Sequence, residues 1–306
     1  MTIAVLQLIA GFICAGFGGE AFVRACVNSA VLLRIPSAIV AITIAAFATS
    51  SPELSVAVNA ALAGTPQIAL GDALGSNIIN VALVLGLVLC FGGLAASRQN
   101  ISRDWLLALF IPILVGVMAS DGIIGMTDGI VLLGMFAVWL SFLVVTANNH
   151  RRAAAEAKTS IHKGNTVILL LMGLGLLMLA GTLIVSGAKA VGSWLGWSPF
   201  ITGVTLVALG TSMPELAASL IARLRGHDDI GLNTVVGSNI FNLLCIVAIA
   251  AIIHPIAIDA QAIVGSIGVG LVALVFVFPN ARGFIPRWRS IPLLVVYAAY
   301  VLSVLA

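Results

Sequence analysis

The sequence predicts an all-α polytopic membrane protein: ten transmembrane helices in two inverted five-helix repeats, with helices broken at the midplane. Three observations carry this. Of 306 residues, 61% are hydrophobic and only 8% charged, whereas a soluble domain carries about 25% charge. Apolar stretches of about 20 residues recur along the whole chain, long enough to cross a bilayer as helix. Two polar motifs also return at one constant spacing. A transmembrane β-barrel is excluded because no short alternating segments occur, and no basic run suits nucleic acid despite a net charge of +3.

Glycine, proline and charge set spans at about 3–25, 37–62, 68–95, 104–119, 127–147, 166–190, 199–222, 230–253, 260–279 and 290–305. Span one lacks a basic start and a cleavage site and contains Glu20. It reads as a retained helix, not a signal peptide. Glu20 stands four residues before Arg24, which predicts an ion pair along one helix face. The polar stretch 148–165 reads as a cytoplasmic linker between a first repeat, 1–147, and a second, inverted one, 166–306. Cys14, Cys26, Cys90 and Cys245 show no CxxC spacing and read as small apolar residues. His150, His162, His227 and His254 fall in connections, with no metal role expected. Asp228 and Asp229 read as a solvated loop.

Basic residues give the orientation. Arg24 and Arg34 follow span one, Arg98 and Arg103 span three, and Arg151, Arg152, Lys158 and Lys163 span five. Arg223 and Arg225 follow span seven, and Arg282, Arg287 and Arg289 span nine. Thirteen of the 14 Lys and Arg residues thus fall at odd-numbered connections; Lys189, near the end of span six, can snorkel. The even connections show Asp121 and Asp128 instead. By the positive-inside rule the odd connections are cytoplasmic and both termini lie outside.

Residues 46–54 read AFATSSPEL and 208–216 read ALGTSMPEL; 75–80 read GSNIIN and 237–242 read GSNIFN. Every pair is 162 residues apart, as are Gly19 and Gly181, and Val23 and Val185. Five spans per copy is an odd number, so the second copy inserts upside down, an arrangement transporters use to build a site where the halves meet. A duplicated scaffold would repeat small apolar residues; here the repeated residues are polar and acidic.

Glu53 and Glu215 lie well inside spans two and seven. A carboxylate at the centre of a membrane helix costs roughly 2.5–3.5 kcal/mol on insertion scales, and no Lys or Arg lies at comparable depth. Protons or metal cations are left as counter-charge, a protonated structural pair being the bland alternative. Pro52 and Pro214 each remove a donor from the carbonyl four residues earlier, Ala48 and Gly210, which predicts breaks or plain kinks. Thr49, Ser50 and Glu53 share one helix face, as do Thr211, Ser212 and Glu215; Ser76 and Asn80, and Ser238 and Asn242, are likewise four apart. The hydroxyls either bond back to the backbone or line a site. Every candidate donor is oxygen, which suits a hard cation such as calcium with its 6–8 oxygen ligands. Two glutamates balance one divalent charge.

These motifs resemble those of the calcium:cation antiporter superfamily, specifically its short prokaryotic sodium/calcium exchangers, whose halves each carry a sequence close to GTSxPE and then GSNxxN or GSNxxD. The resemblance covers nearly the whole chain. It implies a calcium-for-sodium antiporter of a bacterial inner membrane, with no cofactor, and with calcium, sodium and the lipid bilayer as partners and no oligomer required. It also implies a central site of Glu53, Glu215, Asn80 and Asn242. Thr49, Ser50, Ser76, Thr211, Ser212 and Ser238 would flank it, and the carbonyls of Ala46 and Ala208 would complete it. Calcium itself would sit at Glu53, Glu215, Thr49 and Thr211. Spans one and six would slide against the rest to alternate access.

This chain departs from the family in having Asn at both positions 80 and 242, where one is often Asp. Phe47 and Ala48 stand where glycine is usual. Asp72 replaces a commoner asparagine, as a cation-attracting group at the outer mouth or a plain surface carboxylate. Proton-coupled antiport keeps the same architecture. A channel or an intramembrane enzyme fits less well, since oligomeric glutamate rings do not arise from inverted halves and no nucleophile or metal cluster is visible.

Overall fold

The structure, a computed structural model, describes residues 2–64, 66–96, 98–153, 163–194, 208–258 and 260–305. Helix α1 covers Thr2–Leu33 and stops at Arg34, which turns into the left-handed region at φ 58°. After Pro36, α2 (Ser37–Thr49) bends by 45° into α3 (Ser51–Leu62). Helices α4 (Gln67–Cys90), α5 (Arg98–Met118), α6 (Met126–Ala153) and α7 (Lys163–Trp194) follow. Then come α8 (Ala208–Thr211), α9 (Met213–Leu224), α10 (Asp228–Ile253), α11 (Ala260–Phe276) and α12 (Ser290–Leu305). Residues 154–162, the middle of the expected linker with Lys158 and His162, lie outside the described residues. So do 195–207, where span seven was expected to start.

Among the described residues, six helices are long and apolar enough to cross a membrane, or seven if α2 and α3 make one bent span. They differ in what surrounds them. In α4 and α10, 83% of the apolar stretch is buried, against 17–39% in α1, α5, α6 and α7. Large apolar side chains such as Ile3, Phe17, Val138 and Leu171 project outward, as lipid requires and water would not tolerate. The two helices carrying the GSN motifs are therefore the enclosed pair, and the others wrap them.

Close approach at glycines sets the packing. A Cβ on Gly173 of α7 would lie 2.6 Å from the Phe22 nitrogen of α1, so α1 and α7 run backbone to backbone. A Cβ on Gly237 of α10 would meet the Ile42 carbonyl oxygen at 2.5 Å and the Ala46 Cβ at 2.7 Å. Only glycine there lets α10 lie against α2.

Two short antiparallel ribbons tie connections together. Leu94–Ala95 (β1) pairs with Phe284–Ile285 (β4), and Ile123–Ile124 (β2) with Ile256–Ala257 (β3). The 162-residue offset carries β1 onto β3 and relates the two pairings to within one residue.

Candidate cation site

The site begins with proline. Pro52 has no N–H to donate, and α2 stops at Ser50 (φ −86°, ψ 10°), with Pro52 in the first turn of α3. The second copy repeats this: Ser212 (φ −85°, ψ 5°) separates α8 from α9, with Pro214 in the opening turn. Glu53 and Glu215 thereby occupy first helical turns, where the positive end of the helix dipole favours an anion. Both are fully buried.

The structure brings the two halves together here. Glu215 Oε1 accepts hydrogen bonds from Ser50 and from Ser238, each at 3.2 Å. Thr49 lies 3.4 Å from the Ser238 hydroxyl and bonds back to the carbonyls of Ala45 (3.1 Å) and Ala46 (3.3 Å). Thr211 donates to the Ala208 carbonyl at 3.1 Å. The carbonyls of Ala46 and Ala208 also accept the N–H of Ser50 and Ser212, at 3.0 and 3.1 Å. These two carbonyls thus sit at the helix breaks already bonded within their own turns.

Asparagines make a reciprocal lock. The Asn77 amide donates to the Asn239 carbonyl at 3.0 Å, and the Asn239 amide to the Asn77 carbonyl at 3.2 Å. Asn80 then donates to the Asn239 side-chain oxygen at 3.1 Å, and Asn242 to that of Asn77 at 3.0 Å. With their nitrogens committed, Asn80 and Asn242 each turn Oδ1 away, and both oxygens are buried without a partner. The helix widens into π turns at Ile79–Val84 and Asn242–Ile246, a distortion that re-aims side chains at functional sites. Asn77 and Asn239 were not among the expected site residues. Their repetition at the same offset was the available signal, but spacing cannot tell an asparagine that ligates from one that orients it.

The symmetry is then broken. The offset equivalents of Ser50 and Ser238, which clasp Glu215, are Ser212 and Ser76. Both their hydroxyls are buried and unpartnered, as are both oxygens of Glu53. Ten buried side-chain polar atoms lack a partner among the described residues. Seven belong to residues of the repeated motifs, Glu53 Oε1 and Oε2, Ser76 Oγ, Asn80 Oδ1, Ser212 Oγ, Glu215 Oε2 and Asn242 Oδ1, and an eighth, Asp72 Oδ2, lies one helical turn before Ser76. Buried polar groups are normally satisfied, and each orphan costs roughly 1–3 kcal/mol. Every one of the eight is an oxygen, and seven of them belong to residues of the two repeated motifs. Elsewhere the chain pairs a buried carboxylate fully: Asp104 takes Arg103 at 2.8 Å and the Trp139 Nε1–H at 3.0 Å. No Lys or Arg ion pair reaches Glu53 or Glu215 among the described residues.

At one end of the bundle, the expected Glu20–Arg24 pair forms at 2.6 Å, and Glu20 also bonds Arg225 at 2.8 Å, tying α1 to the end of α9. Asp228 and Asp229 are not a solvated loop. They open α10, where Asp228 pairs with Arg223 at 2.9 Å and accepts the Ala95 N–H, and Asp229 accepts the Ser37 hydroxyl. Acid at a helix start gains both from the dipole and from these partners.

An enclosed helical core, two proline helix breaks joined through Ser50 and Glu215, and buried unpartnered oxygens on the repeated motifs are features that suit a membrane transporter of ions. The chain belongs to the sodium/calcium exchanger protein family, whose model matches residues 3–145 and 165–306. It is 34% identical to the putative antiporter CaxA of Alkalimonas amylolytica over 86% of this chain and 84% of that one. It is 31% identical to the inner membrane protein YrbG of Escherichia coli, over 86% and 83%. Among solved structures, the sodium-calcium exchanger NCX_Mj soaked with sodium and strontium superposes with a TM-score of 0.85, at 28% identity over 98% of each chain.

Proposed function

We propose that the chain is a secondary antiporter of an inner membrane, exchanging calcium for sodium by alternating access through a site centred on Glu53 and Glu215. The observation that carries this reading is the set of seven unpartnered buried oxygens on the repeated motifs. Two carboxylates and neutral amide and hydroxyl oxygens match what calcium takes, 6–8 oxygens at flexible geometry. Sodium takes the same donors in smaller subsets, so the two ions compete. Glu53, Glu215, Asn80 and Asn242 ligate, with Ser76, Ser212, Ser50, Ser238, Thr49 and Thr211 around them. The family membership and the antiporters and exchangers among its relatives point to the same reaction.

In this reading the chain crosses ten times, with both termini outside, as two inverted repeats. Contacts between connections support that topology. Connection three bonds to nine through β1 and β4, and four to eight through β2 and β3. Glu20, paired with Arg24 at the end of span one, also meets Arg225 after span seven, and Arg223 after span seven reaches the Phe91 carbonyl before β1. Every link joins connections of equal parity, which ten alternating spans place on one face. Helices α1 and α7 lie against each other through Gly18 and Gly173 and slide as a pair over the enclosed core.

The test is radiolabelled calcium uptake into proteoliposomes under an outward sodium gradient or an outward proton gradient. Sodium-driven uptake is expected. Uptake driven by protons alone would transfer the protein to proton coupling, and uptake under neither would remove calcium as the substrate.

A further inference from the structure

Asp72 sits on α4 one helical turn before Ser76, about 6 Å along the axis. It is the one carboxylate of the group that is not sealed: Glu53 and Glu215 are 0% exposed, while Asp72 is partly exposed with Oδ2 enclosed and unpartnered. Helix α8 packs against α4. The Thr211 hydroxyl, with one proton to give, faces both the Ala208 carbonyl and the Asp72 carboxylate. The carboxylate also interacts electrostatically with Glu215 and with Glu53. No three acidic, histidine or cysteine side chains converge on one point among the described residues, so Asp72 stands beside the glutamates without joining them. Its equivalent in the second half, Thr234, is uncharged and 0% exposed. The carboxylate therefore has no counterpart on the pseudo-symmetric route.

We propose that Asp72, with Thr211, forms a cation-capturing step on one access route only, the route from the face where the turn at 63–66 joins α3 to α4. The inference rests on the cation-antiport reading above. A hard cation arriving hydrated exchanges water for the Asp72 carboxylate and the Thr211 hydroxyl, then moves on to Glu215 and Glu53. A third negative charge near two others repels them unless a cation lies in their field, which is what a capture site uses. By the proposed topology this face is the outer one.

The test is radiolabelled calcium uptake in membrane vesicles of both orientations, comparing wild type with Asp72→Asn, Asp72→Glu and Glu53→Gln. Asp72→Asn is expected to raise the half-saturating calcium about tenfold on the face of the 63–66 turn, and less than about twofold on the other, because a one-sided charged funnel concentrates counter-ions only where they enter. Asp72→Glu restores most of the difference, and added choline chloride shrinks it, since a partly exposed charge is screened. Uptake from the unaffected face is the control for folding. An equal shift on both faces, or none on either while Glu53→Gln is inactive, overturns the proposal alone. Unimpaired uptake by Glu53→Gln overturns the site reading and this proposal with it.

Discussion

Glu53 and Glu215 have the same neighbours in sequence and different ones in space. Two serines clasp Glu215 Oε1, while Glu53 keeps both oxygens free. One carboxylate is held in place by hydrogen bonds and the other is not. Removing a partner of a desolvated charge costs about 3–5 kcal/mol, so Glu53→Gln should lower calcium transport by at least about a hundredfold. The asparagine lock yields a second expectation at this scale. Asn239→Ala frees the Asn80 amide and Asn77→Ala that of Asn242, and losing such an orienting group typically costs about 10–100-fold in ion affinity. The half-saturating calcium should rise by that order in transport titrations. Pairing Asn77→Ala with Asn242→Ala should be less than additive, because Asn77 acts through Asn242. Independent additivity would show that the two amides do not work as one unit.

At the scale of elements, the paired prolines make the site and one glycine seats it. A methyl at Gly237 would strike the Ile42 carbonyl and Ala46, whereas its equivalent Gly75 has nothing within 4 Å. Overpacking costs about 1–3 kcal/mol. Gly237→Ala should therefore lower the thermal unfolding temperature of the detergent-solubilised protein by several degrees, with Gly75→Ala close to wild type. Equal effects would mean that the contact between α10 and α2 does not limit packing. Much here was legible beforehand: the motifs, their offset and the proline breaks are all written in the residues. The π turns, the two-residue strands and the asparagine lock were not. A two-residue ribbon is too short for an alternation signal, and a π turn follows from packing of a whole helix, not from local propensity. Asp72 was legible as a charge but not as a neighbour of Thr211, because nothing in the spacing shows that α8 meets α4.

For the whole molecule, the duplicated sequence supplies approximate symmetry and the deviations supply direction. The Glu20–Arg225 link has no charged equivalent at the other end, where the offset places Thr182 and Ala63. The ion pair binds α1 to α9 on one face only. By the proposed topology that face is the inner one, which labelling can check. In a background with the four native cysteines replaced, a cysteine at Gly226 should react with a membrane-impermeant thiol reagent only from the cytoplasmic side. One at Ser120 should react only from outside. Labelling of both from one side would break the alternating topology. That the chain is a polytopic helical membrane protein was readable from composition; which of the two equivalent glutamates is clasped was not, because that depends on packing between the two motif copies.

The central claim is that the unpartnered oxygens around Glu53 and Glu215 are a cation's ligand shell. Equilibrium binding of radiolabelled calcium to the purified protein tests it most directly, with sodium as competitor. Saturable binding displaced by sodium, and lost in both Glu53→Gln and Glu215→Gln, is the predicted result. Calcium binding that survives both substitutions would contradict the account, because the ion would then lie elsewhere.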